Sequence, residues 1–167
     1  MSKTDNWVFG ALVGFVLVLM VVAIVFGALN ARHAHYETAD TPEAALHNFV
    51  LAVNRGDYKR AYTLLADVPC KPTYDAFRGT LSVPLTVSDI EILDKTVQGG
   101  QATLTVDVDI LWRPPSLFME TAIPETHHGT VKLVNTRQGW RLETWLPGFP
   151  FPPLDLPRSQ CPWAGGD

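Results

Sequence analysis

The residues with the capacity for chemistry are five histidines, a pair of aspartates, three helix-spaced tyrosines and two cysteines. His33-x-His35 and His127-His128 would bring four imidazoles to a metal if the segments carrying them met. A metal site needs that convergence and a second shell that orients the ligands. His33 and His35 lie in a polar, linker-like stretch, and adjacent residues on a strand point to opposite faces, so His127 and His128 diverge. No metal or other cofactor is therefore expected. His47, between Leu46 and Phe49, reads as a flanking or hydrogen-bonded imidazole rather than a ligand. Asp107 and Asp109 alternate with Val106, Val108 and Ile110 on one strand, so they occupy its wet face, where a carboxylate stays solvated and unshifted as a base. Tyr58, Tyr62 and Tyr74 suit core positions with their hydroxyls at the rim. No G-x-G-x-x-G, phosphate-binding loop, G-x-S-x-G or C-x-x-C occurs, which leaves nucleotide, hydrolase and thioredoxin-type chemistry without support. The chain is expected not to be an enzyme.

Cys70 and Cys161 are the only two cysteines. In an oxidising compartment they would join, closing a loop of about 90 residues and adding roughly 4 kcal/mol in the chain-entropy treatment. In a reducing compartment they would be two unrelated thiols.

The elements that must position these groups follow from length and patterning. A chain of 167 residues holds one ordinary domain plus an appendage. Lys plus Arg number 13 against 17 Asp plus Glu, a formal charge of -4, so the basic surface that nucleic-acid binding needs is missing. Apolar residues are concentrated near the N-terminus. After a short tail (residues 1–6), the run WVFGALVGFVLVLMVVAIVFGAL over residues 7–29 has no charge. As a helix it would be roughly 35 Å long, enough to cross a hydrocarbon core of about 30 Å once. It is too long for a cleaved secretory signal, and the residues after it make a poor cleavage site. An uncleaved single-pass anchor in the cell membrane is expected, with the N-terminus cytoplasmic and the domain extracytoplasmic or periplasmic. The flanking charges are sparse, and this orientation is the usual outcome for such an anchor. Gly10 with Gly14, and Ala23 with Gly27, form two small-xxx-small pairs on which another transmembrane subunit could pack closely.

Residues 30–40 read as a juxtamembrane linker and residues 41–146 as the folded domain. Thr41 is a good N-cap with Pro42 at the first helical position, and Leu46, Phe49, Val50 and Val53 form one buried stripe closed by Gly56. Asp57 caps a second helix carrying Tyr58, Ala61, Tyr62 and Leu65, and a short third helix fits residues 73–78. From Val87 the period becomes two. Ile90 and Ile92 lead to the turn Gln98-Gly99-Gly100-Gln101, and the return strand alternates from Ala102 to Trp112. A second hairpin joins 128–134 to 140–145 around residues 135–139, with Val131, Leu133, Trp140 and Leu142 in the core. Helices first and strands afterwards predict an α+β fold, a helical hairpin packed on a curved antiparallel sheet.

The stretch TPEAALHNFVLAVNRGDYKRAYTLLAD resembles the opening of nuclear transport factor 2-like domains, and VKLVNTRQGWRLETW is similar to their closing hairpin. The resemblance covers residues 41–146 and implies the α+β cone of that superfamily, which includes isomerases, dehydratases, transport adaptors and extracytoplasmic accessory domains. Fold does not settle function among these.

Two segments are more apolar than the cone requires. Leu117, Phe118, Met119 and Ile123 lie in a proline-bounded connection (residues 113–126), and Phe149, Phe151 and Trp163 lie in a Pro-rich tail (residues 147–167). Extended proline-rich segments dock on partners at small ordering cost, so these residues are expected partner contacts; packing back on their own domain is the alternative. The function expected is that of a non-enzymatic, membrane-anchored accessory or scaffold subunit of a larger membrane complex, such as a respiratory or photosynthetic assembly. Its partners would be lipid and other transmembrane subunits. A small-ligand module using the apolar cone interior is the alternative, and an isomerase- or dehydratase-type enzyme the least favoured.

Overall fold

The structure, a computed structural model, describes residues 15–22, 35–81, 85–112 and 123–163. The chain forms two compact units, Met1–His35 and Tyr36–Asp167. In the first, residues 15–22 are helical (α1), with every side chain from Phe15 to Val22 exposed. Among the described residues no helix is long and apolar enough to cross a membrane. The run 7–29 is described over 15–22 alone, and Gly10, Gly14, Ala23 and Gly27 lie outside the described residues.

The second unit is α+β, with helices packed on a four-stranded antiparallel sheet in the order β1-β2-β3-β4. Helix α2 (Pro42–Asn54) begins as its cap predicts: Thr41 Oγ1 accepts from the Ala44 N–H at 3.2 Å, with Pro42 in the first turn. At its other end the Asn54 amide donates to the Val87 carbonyl at 2.7 Å and accepts from the Val87 N–H at 3.0 Å, pinning the helix to the first strand. Asp57 caps α3 (Tyr58–Thr63) and Thr73 caps α4 (Tyr74–Thr80), each accepting from the N–H three residues on.

Strands β1 (Leu85–Gln98) and β2 (Gln101–Trp112) form a long hairpin, and β3 (Ile123–Thr136) pairs with β2 and with the short β4 (Gly139–Leu142). Ala102, Leu104, Val106, Val108 and Ile110 are buried on the helix-covered face, together with Val131, Leu133 and Leu142. They meet Leu46, Phe49, Val53, Ala61, Leu65, Phe77 and Leu81 from the helices.

Three boundaries differ from the sequence expectation. Strand β3 starts at Ile123 rather than His128, because pairing with β2 carries it back through Pro124; beyond β4's reach that edge needs no N–H from proline. Strand β4 ends at Leu142, and the chain bends at residues 143–144 before Trp145 enters the core. The supposed linker joins the domain: Asn48 holds the Glu37 backbone through both its N–H and its C=O, at 2.7 and 2.8 Å, and the Arg60 guanidinium sits 3.5 Å from the Tyr36 ring centroid.

The tail also belongs to the domain. Trp145, Leu146, Phe149 and Leu154 are buried. Phe149 meets Phe49 edge-on at 6.1 Å, and Phe151, Trp145 and Phe77 form a cluster of near-parallel rings, Phe151 lying 4.2 Å from Trp145 and 5.8 Å from Phe77, with Trp145 6.0 Å from Phe77. Of the two expectations for Phe149 and Phe151, partner contact or packing back on their own domain, the structure shows packing: Phe149 is buried and Phe151 half-buried against the core. Their destination is a sheet face that three short helices leave partly uncovered, and aromatic burial there is worth more than exposure to water.

Candidate functional site: a basic groove beside the disulfide

Of the remaining residues expected to touch a partner, Leu117, Phe118 and Met119 lie outside the described residues. Ile123 opens β3 opposite Trp112. Trp163 is half-buried, with its indole nitrogen shielded and without a hydrogen-bond partner. Cys70 and Cys161 are brought together as a disulfide, Cα atoms 5.4 Å apart across 91 positions of sequence. The bond ties the end of the tail to the loop after α3.

The helix-covered face offers little to a substrate. Among the described residues Asn48 is the one buried polar side chain, and its amide is committed to Glu37. Two of the three tyrosine hydroxyls are occupied likewise: Tyr58 donates to the Leu81 carbonyl at 3.2 Å and Tyr62 to the Pro72 carbonyl at 2.9 Å. His127 and His128 do diverge. His128 Nδ1 lies 2.7 Å from Asp107 Oδ1 on the outer face, directly across the ladder, while His127 turns toward Gly148, with Nε2 3.6 Å from Glu125 Oε2. Asp109 accepts from Thr126 Oγ1 at 2.6 Å on that same outer face. Among the described residues no three His, Cys, Asp or Glu side chains group as metal ligands.

A concavity lies elsewhere, where the loop after α3 meets the β3–β4 turn. Leu65 is drawn against β4 by two backbone bonds, Ala66 N–H to Leu142 O at 2.8 Å and Leu142 N–H to Leu64 O at 2.9 Å. This pairing makes Leu65 and Ala66 the buried floor of a groove of about 520 Å³, rimmed by Tyr62, Asp67, Lys71, Arg137 and Arg141. A neighbouring cleft of about 450 Å³ shares Tyr62, Asp67 and Lys71 and adds Arg158, which the short 3-10 turn Arg158–Gln160 presents just before Cys161.

Lys71 is central to both. Its Nζ donates to the Leu65 carbonyl at 3.2 Å and sits 4.7 Å from the Tyr62 ring centroid. Partial burial pushes its ammonium below the usual lysine range; the Asp67 charge opposes that shift and the nearby Arg141 charge adds to it. Burial raises the Tyr62 phenol, and Asp67 raises it further. Arg141 Nη1 donates to the Trp140 carbonyl at 2.9 Å. None of Lys71, Arg137, Arg141 and Arg158 has a carboxylate within ion-pair distance among the described residues. Sequence reasoning did not find this group, because its members are scattered from position 71 to 158 and meet only through the Leu65–Leu142 pairing and the disulfide.

No protein-family model matches the chain, and no curated protein does. Among solved structures it is similar to a SEC-C motif containing protein from Rhodopseudomonas palustris, at 17% identity over 70% of this chain and 83% of that one, with a TM-score of 0.50. It is also similar to an NTF2-like protein with a cystatin-like fold from Novosphingobium aromaticivorans, at 14% identity over 74% and 84% of the two chains and a TM-score of 0.45. A third is an NTF2-like family protein from Streptomyces avermitilis proposed to be a dehydratase, at 19% identity over 59% and 86% and a TM-score of 0.42. At such identities the likeness to the first of these is one of fold: helices laid on one face of an antiparallel sheet.

Proposed function

We propose that the chain is a non-catalytic accessory subunit, anchored in the cell membrane by residues 7–29, whose nuclear transport factor 2-like domain lies outside the cytoplasm and contacts other subunits of a membrane complex. The observation that carries this reading is the occupation of the helix-covered sheet face by the chain's own tail: Leu146, Phe149 and Leu154 fill the space in which a substrate or apolar ligand would have to sit. Among the described residues Asn48 is committed to the backbone of Glu37, and the imidazole that turns toward this face, His127, stands at its rim beside Gly148. The Cys70–Cys161 disulfide supports an oxidising, extracytoplasmic location, and the uncharged apolar run supports the anchor. An isomerase- or dehydratase-type activity would have to work from the rim through His127 and Glu125, and the Glu125 side chain is 60% exposed to solvent.

Extraction of native membranes in mild detergent followed by a native gel tests the reading. The chain should migrate with a large complex. A monomer at every detergent level would overturn the subunit role, and saturable stabilisation by apolar small molecules would favour the ligand-binding alternative.

A further inference from the structure

Basic side chains gather beside the disulfide. Lys71, Arg137 and Arg141 line the groove with a single carboxylate, Asp67, which acts on Lys71 from beyond ion-pair distance, and Arg158 joins Lys71 and Asp67 in the neighbouring cleft. The Arg141 charge reaches Lys71 across the groove, and the Asp67 charge opposes it there. Apart from the bond of Arg141 Nη1 to Trp140, the Arg141 fork has no described protein acceptor. Leu65 and Ala66 beneath, with the Tyr62 ring at the side, exclude water from one wall, which strengthens any charge–charge contact made there.

We propose that this groove binds a phosphate-type anion, either a free phosphorylated solute or the phosphate of a lipid headgroup, between Lys71 and Arg141, with Arg137 and Arg158 flanking. A guanidinium fork matches phosphate geometry in a way it matches few other groups, and an ammonium adds a point charge beside it. The surplus of cations over the one carboxylate suits a doubly charged anion better than a single carboxylate. The disulfide is part of the construction: Cys70 adjoins Lys71 and Cys161 follows the Arg158 turn, so the bond holds the two cations on one rim. The inference stands independently of the membrane-complex reading, since it rests only on groups within the second unit.

The test uses the full chain in an uncharged detergent at low ionic strength, followed by its thermal unfolding midpoint. One arm titrates inorganic phosphate, the other dopes the micelles with short-chain phosphatidic acid, and sodium chloride at matched ionic strength is the control. A saturable rise in the phosphate arm supports a free solute, and a rise confined to the lipid arm supports the headgroup. The Lys71→Met/Arg141→Gln variant should lose apparent affinity by about tenfold or more, while Lys132→Met, on the far side of the sheet, should not. If the first variant fails to fold, Arg137→Gln with Arg158→Gln, both at exposed positions, should weaken binding several-fold while leaving the unliganded midpoint unchanged. No saturable rise over chloride in either arm, or an equal loss in Lys132→Met, would overturn the proposal.

Discussion

Trp145 stacks on Phe151 with ring centroids 4.2 Å apart, and its indole N–H donates to the Pro152 carbonyl at 2.8 Å. One residue closes β4's approach to the core and the other belongs to a proline-rich tail, so their contact shows the tail folded back as the last layer of the domain. Proline favours this by lowering the entropy lost on ordering the segment. Phe151→Ala should therefore cost about 2–4 kcal/mol in urea unfolding of the full chain. A tail lying outside the fold would keep the change within about 0.5 kcal/mol.

The disulfide should act on the same segment. Removing it by Cys70→Ala with Cys161→Ala is expected to lower stability by about 2–5 kcal/mol. Trypsin offers a local readout: cleavage after Arg158 should be slow in the oxidised protein and accelerate with reductant, because the 3-10 turn then loses its tether. Equal cleavage with and without reductant would contradict the tether.

Acid should weaken one contact between helix and sheet. The hydrogen bond from Lys95 holds the Glu43 carboxyl below its ordinary 4.5, against an opposing push from burial. A depressed folded value means the contribution is present above about 4.5 and is lost as pH falls through the lower folded value. With the two side chains 32% and 47% exposed, screening holds it below about 1 kcal/mol. Glu43→Gln should flatten the acid limb of the stability profile, and the difference should shrink in high salt.

Two glycines should respond in opposite directions. Gly148 has φ +79, and a Cβ there would stand 2.3 Å from His127 Cδ2 and 2.7 Å from Ile110 Cδ1, so Gly148→Ala should destabilise by about 1–3 kcal/mol. Gly79 lies in α4 with nothing within 4 Å of such a Cβ. Gly79→Ala should stabilise by about 0.5 kcal/mol, read from the same denaturation curves.

Much of the scaffold was legible because it is written in local chemistry. Thr41-Pro42 and Asp57 each announce a helix start by a cap that needs no tertiary partner, and both cap bonds form; Thr73, placed inside the third helix by the sequence reading, caps it instead. The alternation from Ala102 to Ile110 assigns the buried face correctly because the two-residue period of a strand leaves no other choice. The bulges after Val87 and Ile92 were not legible, since an extra residue in one strand is set by its neighbour's twist. Nor was the destination of Phe149 and Phe151. Prolines mark a segment as extended but do not say which surface it meets. The groove was least legible of all: Lys71 and Arg141 share a rim only because Leu65 pairs with Leu142, a contact no local pattern encodes.

The account turns on the tail sealing the sheet face, and a double-mutant cycle between Phe49 and Phe149 measures that directly. Their rings meet edge-on at 6.1 Å, one from α2 and one from the tail. Urea unfolding of Phe49→Ala, Phe149→Ala and the double variant in the full chain should give a loss of about 3–5 kcal/mol for each single change and a coupling of about 0.5–1.5 kcal/mol. A Phe149→Ala cost near zero, with no coupling to Phe49, would place the tail outside the fold and leave the sheet face open to a ligand.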